Sequence, residues 1–281
     1  MFGVVVVPGV LKAETPVFHG GHEKTGSVVL LNRIKFIVEG EPVDVPVISG
    51  NSIRGYLRRL IFQDFLKQVG YEIDVSKKTG QRLWHTFFSG GLLETVEVKE
   101  SGTIDIEFKK KVLKHIPPAR LWGFSFRNQM IEGKLKVGHA LPICVELRDF
   151  LPDHIVPRAS FYDMLGHVFQ TRKDELRGAR ETGEQAVQML IEYEVFVPGT
   201  MFYHEFRLED PDEIDRSVLY RAIKLWEKYP FIGGKSNIGF GRVKLNYDLS
   251  VLETDDKLYL KFLREHRDEI VEVVRELEGT V

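Results

Sequence analysis

The last third of the chain constrains the fold most, because clear turn residues separate its regular segments. Alternating apolar residues predict strands over 187–197 and 201–208. A helix is predicted from Asp210 to Tyr229, where acidic residues and a proline mark its start and a further proline follows its end. After a glycine-rich loop, a strand is predicted over 238–247. This part of the chain therefore has the order strand, strand, helix, strand.

The glycine-rich loop lies within 231–243 and holds four glycines in nine residues, together with Lys235 and Arg242. Glycine permits positive φ and lets backbone N–H groups approach a ligand closely. Such loops with cationic side chains can cradle phosphates. The spacing differs from the known nucleotide-binding glycine motifs, and the loop enters a strand rather than a helix. It indicates binding of RNA or another polyanion or, without a ligand, a tight connection.

The first half of the chain predicts a strand over 2–14 and a helix over 53–69, preceded by capping residues at 49–52. Arg54 and Arg58 lie one turn apart on this helix, away from its apolar stripe. A phosphate at the helix N-terminus would meet these arginines and the positive end of the dipole. Alternatively, the arginines pair with acidic neighbours. The whole order predicts an α+β fold with a ferredoxin-like (RRM-like) palm.

Two less regular stretches interrupt this core. Residues 70–140 are predicted to form an inserted fingers subdomain, with weak strands over 103–108 and 133–137. Residues 151–186 are predicted to form a thumb-like arm, since they are charged and show little apolar periodicity. A mixed-charge helix is predicted over 257–277. We expect the whole chain to form a single domain.

Composition excludes several classes of protein. No run of about 18 apolar residues occurs, so we expect no membrane association. The single cysteine, Cys144, suits a cytoplasmic protein. Because the sequence shows no cluster of His and carboxylate residues, we expect no metal site and no cofactor.

The charge of the chain is unevenly distributed. The formal net charge is −2, but basic residues cluster at 54–59, 109–114 and 172–180, and acidic ones after 253. A near-neutral total can hide a basic face, or these clusters are ordinary solvated surface.

Two segments resemble motifs of the CRISPR-associated RAMP superfamily. Residues 45–59 (VPVISGNSIRGYLRR) resemble the family's first glycine motif, and 232–243 resemble its C-terminal glycine-rich loop. They occur in the family's order on a ferredoxin-like pattern. Within the superfamily, the chain is most similar to the repeating, Cas-seven-type backbone subunit of effector complexes. Segments 45–51, 171–174 and 188–200 point to the type IV version.

This resemblance implies a palm, fingers and thumb, and copies of the chain stacked head to tail in a helical filament along a guide RNA (crRNA). The guide would pair with target DNA or RNA, and other CRISPR effector subunits would complete the complex. The thumb candidates for unstacking a base are Phe161, Tyr162, Met164 and Leu165. The RNA-binding residues that the resemblance and the two motifs imply are Ser49, Gly50, Asn51, Ser52, Arg54, Arg58, Arg59, Gly233, Gly234, Lys235, Ser236, Asn237, Gly239, Arg172, Lys173 and His22.

A catalytic role is not expected, and no catalytic residue is assigned. The type III relatives that cleave target RNA use an Asp after the first strand, and Val29 stands at the corresponding position here, with Glu23 as the nearest carboxylate. His19 and His22 would be the acid–base candidates if the chain were a guide-processing endoribonuclease of the same superfamily. A scaffold domain that binds no RNA is the remaining alternative, since a fold does not determine function.

Overall fold

The computed structural model describes residues 3–25, 28–91, 105–126, 129–172 and 189–280. The strands are β1 (Val4–Ala13), β2 (Gly20–Thr25), β3 (Val28–Leu31), β4 (Arg33–Val38), β5 (Glu41–Pro46), β6 (Phe124–Phe126), β7 (Gln129–Ile131), β8 (Leu135–Val137), β9 (Leu141–Pro142), β10 (Leu165–Arg172), β11 (Met189–Phe196), β12 (Met201–Glu209) and β13 (Val243–Tyr247). The helices are α1 (Gly50–Val69), α2 (Lys78–Ser89), α3 (Ile106–His115), α4 (Pro117–Trp122), α5 (Glu213–Lys228), α6 (Lys257–Glu265) and α7 (Arg267–Thr280). None of these helices combines the length and apolar character needed to cross a bilayer.

The central sheet has the strand order β13-β1-β12-β8, and its neighbouring strands are antiparallel. Along the chain, α1 lies between β1 and β8, and α5 lies between β12 and β13. The four strands and two helices therefore follow the β-α-β-β-α-β order of a ferredoxin-like fold. The predicted α+β class and ferredoxin-like palm are confirmed.

The palm core follows directly from the sequence periodicity. Phe202, Phe206 and Leu208 of β12 are fully buried, and they alternate with more exposed residues. The Phe206 ring lies 6.4 Å from Trp226 of α5 and 5.3 Å from Tyr247 of β13, so aromatic side chains join the sheet to this helix. The sequence predicts an apolar stripe on α1, of which Leu60 is half-buried and the other members are buried: Ile53, Leu57, Ile61, Phe65 and Val69.

A second sheet has the order β10-β11-β3-β2. Its strands β10 and β11 are antiparallel and pair from Leu165 opposite Phe196 to Arg172 opposite Met189. The region of the predicted thumb-like arm, 151–186, thus contains β10, and residues 173–188 between the two strands lie outside the described residues. The exact boundaries of the fingers and thumb remain predictions.

The fingers region differs from its predicted local structure. The strand predicted over 103–108 was wrong where the structure describes it, because α3 begins there. Asp105 caps this helix by accepting the Phe108 N–H at 2.9 Å, and the buried Phe108 and Val112 are four residues apart, a helical spacing. The strand predicted over 133–137 forms as β8 and pairs with β12, so it belongs to the palm sheet.

Three further boundaries differ from the sequence-based expectation. β2, which pairs with β3, lies in a stretch after residue 14 for which the sequence predicts no strand. The last strand begins at Val243 rather than at Ile238, since Gly239 and Gly241 have positive φ, which a strand does not accommodate. The C-terminal segment forms two helices, α6 and α7, with His266 between them.

Candidate nucleic-acid interface

The palm topology brings the two glycine motifs to the same end of the sheet. The C-terminal end of β1 pairs with the N-terminal end of β13, at Ala13 and Val243. The glycine-rich loop enters β13 at this end, and Gly50 at the start of α1 packs against Val137 at the C-terminal end of β8. Tyr56 of α1 donates a hydrogen bond to the Tyr229 carbonyl, 2.8 Å away at the end of α5 and 173 residues later in the sequence. The start of α1 and the glycine-rich loop are therefore neighbours in space.

One short segment, 17–19, contacts both motifs. The Phe18 carbonyl accepts the Gly234 N–H at 2.8 Å. The next residue, His19, accepts the Ser49 N–H on its Nε2 at 3.2 Å. Because adjacent residues of one strand-like segment bind the two motifs, these form a continuous surface. We call the surface made of 17–19, 49–59 and 233–239 the motif face.

Side chains of the protein accept hydrogen bonds from the backbone N–H groups at the N-terminus of α1. Ser49 Oγ accepts the Ser52 N–H at 3.2 Å, as the capping pattern predicts. The Gly50 N–H donates to His139 Nδ1 at 3.2 Å. Gly50 is packed so closely that a Cβ there would lie 2.3 Å from a backbone oxygen. A serine and two histidines thus hold the N–H groups that were expected to meet a phosphate.

One ring nitrogen of each histidine acts as an acceptor. Burial lowers the pKa of His19, and the neighbouring His139 lowers it further. Since each ring accepts a backbone proton on one nitrogen, the hydrogen-bond pattern assigns the remaining hydrogen to the other nitrogen. His139 is exposed, and it can offer this second N–H to a ligand.

The three arginines of α1 have different surroundings. Arg58 is only 5% exposed and donates to the Trp122 and Gly123 carbonyls at 2.6 and 2.8 Å. Arg54 donates to the same Trp122 carbonyl at 2.5 Å. Burial lowers the pKa of Arg58 to about 10, and the charge of Arg54 contributes to this shift. Arg59 is exposed and makes no hydrogen bond or ion pair with any described residue.

A groove with a volume of 710 Å³ lies beside these arginines. The first turns of α1 form one wall, and the opposite wall comes from the end of α2, the end of α4 and the β6–β7 hairpin. Glu132 is the acidic residue among those that line it, and its carboxylate is paired with Lys136 at 3.0 Å. We call this feature the arginine groove.

The backbone of the glycine-rich loop is tightly packed. Gly233 and Gly241 have positive φ, and a Cβ on either would lie about 2 Å from a backbone oxygen, at 2.3 Å from Phe18 and 2.2 Å from Ile232. Gly239 also has positive φ, but a Cβ there would meet nothing within 4 Å. Two of the glycines are therefore explained by packing and backbone conformation together, and the third by conformation alone.

One side chain of this loop is held by an aromatic ring, and the neighbouring polar residues are exposed. Lys235 Nζ lies 4.1 Å from the centroid of the Tyr193 ring, a cation–π contact that holds it on the motif face. Ser236, Asn237 and Gly239 are exposed. The loop thus presents a fixed cation beside free polar groups, which suits contact with a phosphate backbone.

Some of the other predicted positions fall outside the described residues. Lys173 lies outside the described residues, and so do the side chains of His22, Glu23 and Arg172. Val29 lies in β3 opposite Tyr193 and packs in an apolar cluster. Within the described ranges, no group of three or more His, Cys, Asp or Glu side chains is arranged to hold a metal ion.

The four thumb candidates differ in exposure. Phe161 is 2% exposed and its ring lies 4.1 Å from that of Tyr162, which is 70% exposed. Met164 and Leu165 are partly buried against the apolar cluster that contains Phe161. Phe161 is therefore a core residue, and Tyr162 is the candidate whose ring can meet a base.

One lysine of the basic cluster at 109–114 pairs with the acidic C-terminal region of the same chain. It lies on α3, and Lys111 Nζ is 2.5 Å from Glu276 of α7. Nearby, His115 Nδ1 is 3.6 Å from Glu269. Part of the uneven charge seen in the sequence is thus neutralised within the fold.

Sequence reasoning missed Phe18 of the motif face and two residues that contact this face, Tyr193 and His139. No local pattern marks them, because each acts on a residue far away in the sequence; His139 binds Gly50 across 89 residues. His19 was singled out, but as a catalytic candidate rather than as the acceptor for the Ser49 N–H.

The fold and the motif face define an RRM-like domain with a glycine-rich loop and long insertions. The family model of the RAMP superfamily matches residues 10–244, and the chain belongs to this superfamily. A solved chain named "Type IV-B CRISPR Complex" is similar in structure, with a TM-score of 0.62 and 20% sequence identity. The match covers 87% of this chain and 90% of that chain, and at this identity it shows a shared fold. No curated protein sequence matches the chain.

Proposed function

We propose that the protein is a non-catalytic backbone subunit of a CRISPR effector complex that binds guide RNA on its motif face. The observation that carries the proposal is the junction at 17–19, where Phe18 binds the glycine-rich loop and His19 binds the start of α1. At this junction the two motifs, each of which combines glycines with cationic side chains, form one surface. Such a surface can follow several consecutive phosphates of a strand, whereas either motif alone offers one contact.

The groups on this surface suit a grip that does not depend on sequence. Lys235, Arg59 and the exposed loop residues can meet phosphates, and nothing in the pattern resembles paired donors and acceptors aimed at base edges. A subunit that must hold any guide requires this kind of contact. Bases remain free to pair with target DNA or RNA.

Assembly is proposed from membership of the superfamily and from the likeness to a chain of a type IV-B CRISPR complex. Copies would stack head to tail, since a heterologous contact extends rather than closes. The β10–β11 ribbon would start the thumb, with Tyr162 near its base. Other subunits would complete the complex, which would act in the cytoplasm.

The proposal is tested by the salt dependence of binding to single-stranded guide RNA. Arg59→Ala and Lys235→Asn each remove one cation, and asparagine tolerates the left-handed backbone of Lys235. We expect each variant to lower the slope of log affinity against log salt by roughly 0.7, whatever the RNA sequence.

Exposed lysine and arginine residues of α6 provide the matched controls. Lys261→Ala and Arg264→Ala remove the same charges away from the motif face and should leave the slope unchanged. Equal slopes for all four variants would contradict the proposed interface. Arg58 is unsuitable for this test, because its loss would remove hydrogen bonds from buried backbone carbonyls and so affect folding.

A further inference from the structure

Among the described residues, the arginines of the arginine groove have no carboxylate counter-ion. Arg54 and Arg58 both donate to the Trp122 carbonyl, a neutral acceptor, and no carboxylate of the described residues pairs with either. Arg58 is almost fully buried. Buried charges in proteins are normally paired, because desolvation of an unpaired ion is costly. Two adjacent guanidinium groups and the exposed Arg59 thus form a site that an anion would stabilise.

Gly55 is a second and independent indication of a ligand. It lies inside α1, lines the groove, and a Cβ at this position would meet nothing within 4 Å. Glycine destabilises a helix interior relative to alanine, and here neither close packing nor positive φ explains it. The residue keeps space open next to the three arginines.

The wall opposite the arginines is partly apolar. Phe88 is half-buried at the end of α2, and Met130 of β7 is 69% exposed at the rim. An aromatic ring and a polarizable thioether form a surface against which a planar base can pack. The groove volume of 710 Å³ lies in the range typical of small-molecule and cofactor sites.

We propose that the arginine groove binds one nucleotide of a single-stranded nucleic acid, with its phosphate at Arg54 and Arg59 and its base against Phe88 and Met130. Arg58 is a positioning residue that fixes the Trp122–Gly123 backbone under the phosphate. The inference rests on the proposed function only for the source of the nucleotide, which is the guide RNA. It adds a site that accepts a base, whereas the rest of the motif face contacts phosphates.

The probe is adenosine 5′-monophosphate, titrated calorimetrically into the full-length protein, with inorganic phosphate in a parallel titration. Because a base packed on the apolar wall adds to affinity, the nucleotide should bind at least about fivefold more tightly than phosphate. Arg59→Ala should weaken nucleotide binding by about tenfold or more, while Arg264→Ala on α6 leaves it unchanged.

Substitutions at Gly55 separate binding from folding. Gly55→Ala should raise Tm by about 2 °C, since alanine favours a helix. Gly55→Leu, at the same open position, should keep the fold and abolish nucleotide binding by filling the groove. Nucleotide affinity equal to that of phosphate, or a Gly55→Leu variant that binds like the unmodified protein, would overturn the assignment.

Binding of guide RNA is measured on the same samples. Normal guide binding without nucleotide binding would refute the groove site and leave the proposed function intact. Nucleotide binding that depends on Arg59, in a protein that ignores guide RNA, would support the groove site and refute the proposed function.

Discussion

His204 shows how a single residue links the palm core to pH. Its side chain is fully buried in β12, and its Nδ1 lies 2.7 Å from the Tyr247 hydroxyl. Burial lowers the pKa of His204 to about 3. The folded state therefore keeps this ring neutral at pH values where the unfolded chain protonates it.

The sign of the pH effect follows from that lowered pKa. The stabilising contribution is complete above the unfolded pKa of about 6.5 and is lost as pH falls toward 3. We predict that the free energy of unfolding decreases by about 2 kcal/mol between pH 7 and pH 5 through this residue. Urea denaturation at both values measures it.

His204→Asn retains an acceptor near the Nδ1 position and removes the titration, so it should reduce this pH dependence. His154→Asn changes an exposed histidine and is the matched control. A pH dependence that is the same in His204→Asn and the original protein would contradict the argument.

For single residues, the sequence predicted the role correctly where the hydrogen-bond partner lies only a few positions away along the chain. Ser49 was expected to cap α1, and its hydroxyl accepts the N–H of Ser52, three residues on. The role of Arg58 was not foreseen, because its acceptors Trp122 and Gly123 belong to the fingers region, more than sixty residues away. Charge and periodicity give no information on such partners.

The glycine-rich loop is the element whose geometry makes the sharpest stability prediction. Gly239→Ala meets open space, so its cost is that of a left-handed alanine, about 1 kcal/mol. Gly241→Ala has the same backbone strain and also brings a Cβ within 2.2 Å of the Ile232 carbonyl. We predict a loss of more than about 2 kcal/mol for Gly241→Ala, measured by chemical denaturation. Equal losses for the two variants would show that packing is not the reason for Gly241.

Elements were predicted well where periodicity and turn residues agree. β12 and α5 lie close to their expected positions, and both have regular apolar spacing. α3 was missed because the sequence before it is polar and its apolar residues are few. β2 was missed because its residues, GGHEKT, have low strand propensity, and it forms through pairing with β3.

For the whole molecule, the sequence predicted the order of the palm elements, but the strand predicted over 187–197 forms as β11 in the second sheet, and β8 takes its place in the palm. β8 has only three residues and follows the fingers region, so its place beside β12 emerges only in the folded chain. The motif face likewise forms only when distant parts of the chain meet in the fold. Each motif was visible in the sequence, but the segment 17–19 that joins them was not.

Size-exclusion chromatography with guide RNA, monitored at two wavelengths, shows whether this RAMP superfamily member is an RNA-holding backbone subunit, as proposed. We predict RNA-bound assemblies larger than one copy, whose mass increases in steps with the length of the guide. We also predict that added target RNA stays intact with Mg²⁺ or Mn²⁺. A nucleic-acid-free monomer that does not bind added guide RNA would contradict the proposed function.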